Sequence, residues 1–298
     1  MAARGLLPPW LWLVALWIVW GTSWPAMRTV FLEMPVWQLR AITCALGGVA
    51  LLAITRFSGA SVRLARGDWV PLVLASIFNM TVFHVATGYG LKMIGAGHAA
   101  VVVYTLPLWT ALLSALVLKE RLTPRVFLGL ALGMGGVGVL ASNDFKALGS
   151  DPLGLVVVLS AAICWGVGTV LIKRRTWSAG VNALAGWQLI MAAVPIGAVA
   201  MFTERFALHE ASGPALFSAA YILVVGVILG YAVWFKVVSL FPATIASIGA
   251  LVTPVIGMAS SALLLGEPIG WREIAALALV LSAVALVIFR PAPKPAAA

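Results

Sequence analysis

Runs of about 20 mostly apolar residues recur along the chain, and a run of that length crosses the hydrocarbon core of a bilayer as one helix. The runs are continuous and do not alternate between apolar and polar positions, so they favour helices over strands. The connections between them are too short for a soluble domain. We predict an all-α membrane protein with ten transmembrane helices, over residues 10–30, 36–55, 69–91, 97–118, 124–141, 153–172, 182–202, 215–235, 243–265 and 271–289.

The composition agrees with a surface that faces lipid. Of the 298 residues, 63% are hydrophobic and 9% are charged, and the mean hydropathy is +1.09. A soluble domain of this size carries far more surface charge. The net charge of +10 is also typical of nucleic-acid binding, but the basic residues form short clusters between apolar runs, such as 173–175. We expect the lipid bilayer and a small molecule as partners, and no nucleic acid.

The basic residues also predict the orientation, because they concentrate on the cytoplasmic side of membrane proteins. With the N-terminus inside, thirteen lysines and arginines fall in inside segments and five in outside segments. The apolar N-terminal run lacks a small-residue cleavage site, so we interpret it as a retained first span and not as a signal peptide. We predict a multi-pass protein of a bacterial cytoplasmic (inner) membrane, with both termini cytoplasmic.

The two halves of the chain resemble each other at an offset near 147 residues. Each half holds five spans, an odd number, so the second half must enter the membrane in the opposite direction. We predict two inverted repeats, residues 10–141 and 153–289, followed by a disordered cytoplasmic tail, 290–298. The matches are Trp20-Gly21 with Trp165-Gly166, Trp37-Gln38-Leu39 with Trp187-Gln188-Leu189, and the pair Pro107 and Glu120 with the pair Pro254 and Glu267.

These motifs resemble those of the EamA-domain transporters of the drug/metabolite transporter superfamily, over nearly the whole chain. The resemblance rests on the two tryptophan-glycine pairs, on Arg40 in span 2, and on the proline-to-glutamate segments of spans 4 and 9. One departure is Ile190, which stands at the second-half position that corresponds to Arg40. The resemblance implies a central cavity with spans 5 and 10 outside it. Within the superfamily, the chain is most similar to the YddG-type exporters of aromatic amino acids.

The leading hypothesis is therefore a secondary transporter that exports small organic solutes by alternating access of the two repeats. Amino acids, including aromatic ones, are the preferred substrates, with other metabolites or drugs as the alternative. No oligomer is required. A rival from another class is a membrane-embedded enzyme acting on lipid substrates. Such an enzyme needs a catalytic or metal-binding set, and the spans contain neither an HExxH motif nor a pair of acidic residues. We expect no catalytic residue, metal or cofactor.

Two glycine-rich signals fit packing better than nucleotide binding. Residues 133–138 spell GxGxxG, but they lie inside span 5 and do not follow a strand. Gly129 and Gly133 form a GxxxG pair, which is typical of a surface where two helices approach closely. No GxxxxGK[ST] motif occurs in the chain, so ATP-driven pumping is not expected.

Two ionisable residues inside the spans are candidates for function, because charge in hydrocarbon is costly. Arg40 lies one turn inside span 2, where it either binds a substrate carboxylate or has a structural role, by reaching the interface or stacking on Trp37. His84 lies near the middle of span 3. It either binds substrate and titrates during transport, or is a neutral histidine that bonds a neighbouring helix.

Other polar and aromatic residues of the spans complete a predicted amphipathic pocket. Deep tryptophans are suited to a flat or apolar substrate, although each one taken alone also fits lipid contact or packing; Trp187 and Trp234 are deep as well. Pro107 and Pro254 occupy matching positions in spans 4 and 9, where each is either a hinge or a passive kink. The predicted substrate-binding set is Trp17, Trp20, Asn79, His84, Tyr104, Trp165, Gln188 and Tyr231.

Overall fold

The computed structural model describes residues 8–142, 151–205, 211–265 and 269–288. Within these ranges the regular structure is helical and no strand occurs, which confirms the predicted all-α fold class. Glu267 of the repeated motif and the predicted tail, 290–298, lie outside the described residues.

The described part of the chain contains helices for all ten predicted spans. Seven are long and apolar enough to cross a membrane, and three shorter apolar helices stand at the places of spans 4, 5 and 10. The helices are Pro9–Gly21 and Ser23–Glu33 (span 1), Val36–Phe57 (span 2), Trp69–Ser76 and Ile77–Val82 (span 3), Phe83–Val103 (spans 3 and 4), Leu106–Leu113 and Ser114–Leu118 (span 4), Pro124–Ala141 (span 5), Pro152–Lys173 (span 6), Val181–Thr203 (span 7), Gly213–Tyr221, Ile222–Leu229 and Gly230–Leu240 (span 8), Ala243–Gly249 and Val252–Leu265 (span 9) and Trp271–Ile288 (span 10).

The connection between spans 3 and 4 differs from the prediction. The backbone stays helical from Phe83 to Val103, so no loop separates the two spans at 92–96. At the corresponding connection in the second half, between spans 8 and 9, the helix ends and the backbone is not helical at Phe241 and Pro242. A proline disfavours helical backbone at the residue before it, and the first-half stretch contains no proline.

Several spans are irregular near their middle. Span 1 is interrupted at Thr22, span 4 at 104–105 and span 9 at 250–251. Spans 3 and 8 each contain a π-helical segment, Ile77–Val82 and Ile222–Leu229, at equivalent positions of the repeat. π-Helical turns disturb the regular backbone hydrogen bonding and are frequent at functional sites. Both halves therefore contribute irregular helices, and spans 3, 4, 8 and 9 do so at matching positions.

Equivalent spans of the two halves pack on each other, span 2 along span 7 and span 5 along span 10. Glycines permit the close approach, since a Cβ added to Gly48 would lie 2.8 Å from the carbonyl oxygen of Gly186. A Cβ added to Gly129 would meet the side chain of Val287 in span 10, so the GxxxG surface faces a helix as predicted. Equivalent spans meet in this way where a pseudo-twofold axis relates two halves.

Polar bonds tie the two halves together at both ends of the bundle. At one end, the Glu33 carboxylate accepts hydrogen bonds from the backbone nitrogen and the hydroxyl of Ser212, both at 2.9 Å. At the other end, the Asp68 carboxylate accepts the same two bonds from Ser178 and forms an ion pair with Arg175 at 2.6 Å. Polar contacts between the halves therefore occur at each end of the bundle.

Glu120, from the repeated proline-to-glutamate motif, caps the first helix of span 9. Its carboxylate accepts from the backbone nitrogen of Ala243 at 2.8 Å and from the hydroxyl of Thr244 at 2.8 Å. The first N–H groups of a helix have no partner within it, and negative charge is favoured beside them. The motif thus links the end of span 4 to the start of span 9.

Candidate functional site

Four large aromatic side chains, which we call the aromatic cluster, meet between the two halves. Trp20 of span 1 lies 5.9 Å from Trp165 of span 6, measured between ring centroids. It lies 5.9 Å from Tyr231 and 5.6 Å from Trp234, both of span 8. The indole N–H of Trp20 donates to the carbonyl oxygen of Gly226 at 3.1 Å, in the π-helical segment of span 8. Three spans thus contribute the rings of the cluster, and the hydrogen bond orients that of Trp20.

Two contacts at this centre join residues that are equivalent in the two repeats. Trp20 and Trp165, from the repeated tryptophan-glycine motif, touch edge to face. The hydroxyl of Tyr231 lies 3.2 Å from Nε2 of His84, and these residues are 147 positions apart, which is the offset of the repeat. Equivalent residues can touch only where they approach the axis that relates the halves. The aromatic cluster therefore lies at that axis, where one half meets the other.

The hydrogen bonds of His84 define its tautomer. Nδ1 lies 2.7 Å from the carbonyl oxygen of Met80, which can only accept, so Nδ1 carries the proton. In the neutral ring Nε2 is then an acceptor, and it receives the hydroxyl of Tyr231. His84 is 8% exposed. The predicted bond to a neighbouring helix is present, and it crosses from span 3 to span 8.

Buried polar atoms without partners lie on spans 3, 6 and 7, and those of Asn79 and Trp165 border the cluster. Asn79 and Gln188 are 1% and 0% exposed. The Asn79 amide nitrogen lies 3.4 Å from the carbonyl oxygen of Trp165 and 3.4 Å from Oγ1 of Thr169. Among the described residues, no partner reaches Oδ1 of Asn79, Nε1 of Trp165 or either side-chain polar atom of Gln188. Buried polar atoms normally have partners, so these atoms are available to a ligand or to water.

Arg40 stacks on a different ring from the one predicted. Its guanidinium carbon lies 5.9 Å from the ring centroid of Phe31, while Trp37 packs on Tyr89 at 5.0 Å. Phe31 belongs to the end of span 1, and the turn between the spans brings it over Arg40, which spacing within span 2 alone does not reveal. No carboxylate within the described ranges forms an ion pair with Arg40, and its Nε is buried without a partner.

Comparison with known proteins assigns this arrangement to a family. The sequence profile of the EamA-like transporter family matches residues 8–142 and again residues 152–289, once in each half. The chain belongs to the EamA-like transporter family. Membership makes this chain a multi-pass transporter and not an enzyme, so the rival hypothesis of a lipid-processing enzyme is excluded.

Relatives of this EamA transporter match it over almost their whole length. It is 26% identical to the "Uncharacterized transporter YvbV" of Bacillus subtilis, over 94% of this chain and 92% of the relative. It is 29% identical to the "Uncharacterized inner membrane transporter YedA" of Escherichia coli K12, over 96% and 92%. It is 25% identical to the "Probable amino-acid metabolite efflux pump" of the same strain, over 91% and 92%. A solved crystal structure shares the fold, with a TM-score of 0.82, 20% identity and coverage of 93% and 95% of the two chains.

Not every residue of the predicted set joins the aromatic cluster. The indole N–H of Trp17 donates to the carbonyl oxygen of Gly249 at 2.6 Å, where span 9 is interrupted. Tyr104 packs on Trp24, with 6.2 Å between ring centroids. Gln188 lies where spans 3 and 7 meet, and its backbone carbonyl oxygen accepts a hydrogen bond from the Ser76 hydroxyl at 2.8 Å. The members that the structure brings together around the axis are Trp20, Asn79, His84, Trp165 and Tyr231.

The two prolines of the EamA transporter lie beside the breaks of spans 4 and 9, and the hinge role predicted for them stays a prediction. Pro107 is the second residue of the helix Leu106–Leu113, and Pro254 is the third residue of Val252–Leu265. The first turn of a helix tolerates proline, because its N–H groups have no partner there. Each proline therefore lies just after a break and begins the second helix of its span, instead of kinking a continuous one.

Trp234 and Phe83 belong to the centre but were absent from the predicted set. Trp234 is 2% exposed and stacks on Trp20. Phe83 lies 4.5 Å from Trp165 between ring centroids. Trp234 follows Tyr231 by three positions, so both side chains lie on one face of the helix. This spacing is the sequence feature from which Trp234 could have been predicted as a member of the cluster. Phe83 follows the π-helical segment of span 3, which shifts the facing of later residues, and no sequence signal predicts that segment.

Proposed function

We propose that this EamA transporter is a secondary exporter of small organic solutes, with amino acids, including aromatic ones, as its substrates. The observations that carry the proposal are the meeting of aromatic rings and unpartnered polar atoms between the halves, and a cation on span 2, Arg40, with which no carboxylate of the described residues pairs. An aromatic amino acid presents the matching groups, which are a ring, hydrogen-bonding groups and a carboxylate. The name of the efflux-pump relative from Escherichia coli supports the same substrate class.

The aromatic cluster supports binding of the substrate ring. Trp20, Trp165 and Trp234 offer both faces and edges, and aromatic pairs of this kind add about 0.5–1.5 kcal/mol to burial alone. The unpartnered N–H of Trp165 and amide oxygen of Asn79 lie at the border of the cluster. They are suited to the polar groups of a substrate whose ring lies among the tryptophans.

Arg40 supports recognition of the carboxylate. A cation inside a span costs about 2.5–3.5 kcal/mol by insertion scales, and it is normally paired. No ion-pair partner occurs for Arg40 within the described ranges. A substrate carboxylate supplies the missing charge, and a charged hydrogen bond of this kind contributes about 1.5–3 kcal/mol.

The position of the site supports transport by alternating access. The cluster lies at the axis between the repeats, and polar contacts join the halves at both ends of the bundle. Rearrangement of one half against the other opens one end while the other stays closed. We place the two repeats at 10–141 and 153–289, with both termini in the cytoplasm of a bacterial inner membrane. Reporter fusions at each terminus test this orientation.

Flux measurements in liposomes test the substrate class. Purified protein is reconstituted, and efflux of labelled tryptophan, phenylalanine and a panel of other metabolites and drugs is followed. We expect the aromatic amino acids to equilibrate, and we expect Arg40→Gln to slow their transport by about tenfold to a hundredfold. Arg40→Lys should retain part of the rate because it keeps the charge. Flux of other metabolites or drugs alone would support the alternative cargo.

Arg272→Gln is the matched control. Like Arg40, Arg272 has a buried Nε without a partner in the described residues and lies beside a ring, with its guanidinium carbon 5.0 Å from that of Trp271. It belongs to span 10, outside the cluster, so its variant should transport at the normal rate. Tryptamine, which lacks the carboxylate, should inhibit wild type and Arg40→Gln equally. Absence of flux for every solute, or equal loss in both variants, contradicts the proposal.

A further inference from the structure

A groove lies on the outer surface of the bundle, where span 3 begins and span 6 ends. It has a volume of about 340 Å³ and is lined by Pro71, Leu74, Leu171, Arg174 and Arg175. Leu74 is 45% exposed, so the apolar wall is open towards the surroundings of the bundle. The groove is distinct from the aromatic cluster and contains none of its residues.

The two arginines differ in how their charge is balanced. Arg175 forms the ion pair with Asp68 and donates to the carbonyl oxygen of Gly67 at 3.1 Å. Arg174 is exposed, and no carboxylate in the described residues pairs with it. The groove therefore combines an apolar wall with one cation that is free to bind an anion and a second that is already fixed in place.

Tryptophans place the arginines at the level of the lipid headgroups. Trp69 lies in the first turn of span 3, and Trp177 follows the end of span 6. Tryptophan is enriched at the boundary between hydrocarbon and water. The basic-residue count assigns this end to the cytoplasm, where the membrane surface carries anionic lipids.

We propose that this groove binds an anionic phospholipid. The phosphate would contact Arg174, and an acyl chain would lie along Leu74 and Leu171. Basic pockets between spans on the cytoplasmic side are suited to such headgroups. The apolar wall distinguishes a lipid from a free anion, because an inorganic phosphate has nothing to place against the leucines.

Binding at this seam would act on the elements that carry the substrate site. Span 3 holds Asn79 and His84, and span 6 holds Trp165. A lipid that touches both spans favours the arrangement in which they pack together. Anionic lipid is therefore expected to stabilise the packing of span 3 on span 6 that the structure shows.

Native mass spectrometry of the full chain in detergent tests the proposal. The protein is titrated with dioleoyl phosphatidylglycerol and, separately, with dioleoyl phosphatidylcholine. We expect wild type to bind the anionic lipid at least about fivefold more tightly, and Arg174→Gln to lose that preference while Arg174→Lys keeps it. Equal binding of the two lipids by wild type, or an unchanged preference in Arg174→Gln, would overturn the proposal.

Three further arms separate the groove from general effects of charge. Arg121→Gln removes an exposed arginine on the same side but outside the groove, and it should keep the full preference. Leu74→Trp fills the apolar wall from its exposed side and should weaken binding of the anionic lipid. Inorganic phosphate at the same concentration should not compete. Competition by phosphate, or equal loss in Arg121→Gln, means that charge alone acts and that no lipid site exists.

Discussion

The break in span 4 and the break in span 9 occupy equivalent positions, but their freed backbone groups find different partners. In span 4, Thr105 closes the break within its own helix, since its nitrogen and its hydroxyl both donate to the carbonyl oxygen of Val102, at 3.1 and 2.7 Å. Trp109, one turn later, donates to the same hydroxyl at 3.2 Å. The carbonyl oxygen of Val102 is therefore satisfied from inside span 4.

In span 9 the corresponding carbonyl depends on the other half. The N–H of Thr253 donates to the carbonyl oxygen of Ala250 at 3.0 Å. The carbonyl oxygen of Gly249 instead accepts a hydrogen bond from the indole N–H of Trp17 in span 1. By the offset of the tryptophan-glycine pairs, the residue equivalent to Trp17 is Ala162, which has no donor. The repeat thus sets where a span breaks, whereas side chains that are not repeated decide how the freed carbonyl is satisfied.

Trp17→Phe should have the largest effect, because it leaves the Gly249 carbonyl without its partner. Losing the partner of a buried acceptor costs about 1–3 kcal/mol. We expect a lower thermal unfolding temperature in detergent and slower transport. Trp12→Phe is the control, since Trp12 also lies in span 1, with its ring 5.8 Å from the Lys236 ammonium, and its indole makes no hydrogen bond to span 9 within the described residues. Equal destabilisation by both variants would show that the break does not need Trp17.

Thr105→Val should have a smaller effect. The hydroxyl bonds disappear, but the backbone nitrogen still donates to Val102, so the carbonyl keeps one partner. We expect a loss of about 1 kcal/mol for each of the two hydroxyl bonds, those with Val102 and Trp109, and a total below that of Trp17→Phe because no buried carbonyl loses its last partner. Thr105→Ser keeps the hydroxyl and should remain close to wild type in the same unfolding measurement. A cost above that of Trp17→Phe would reverse the comparison of the two breaks.

Most of the architecture could be predicted from the sequence, because the bilayer imposes strict rules. Apolar length fixes the spans, and the odd number of spans in each half fixes their opposite entry. The gathering of Trp20, Asn79, His84, Trp165 and Tyr231 follows from the same physics, since polar and amphipathic side chains inside a membrane avoid lipid. Their exact partners depend on residues far apart in the chain.

The features that sequence reasoning missed depend on backbone detail and on contacts between spans. The π-helical segments of spans 3 and 8 rotate the residues that follow them, and no composition signal marks them. Tyr104 satisfies the same pattern as Tyr231, yet it packs on Trp24 because it stands at the break of span 4. Trp17 likewise shares its spacing with the deep tryptophans but meets the break of span 9.

Replacement of the two prolines should have the smallest effect, and the effect should be equal in the two halves. Pro107 and Pro254 both lie in the first turn of a second helix, where a proline removes no bond that the helix would otherwise make. Pro107→Ala and Pro254→Ala should each cost about 0.4–1 kcal/mol, by increasing the entropy of the unfolded chain.

Pro195→Ala is the matched control, because Pro195 lies inside the unbroken helix of span 7. Its replacement restores a backbone donor, so it should stabilise the protein. All three are compared by unfolding in the same detergent. If Pro254→Ala cost far more than Pro107→Ala, the proline itself would hold the span 9 break open, and the role given to Trp17 would be wrong.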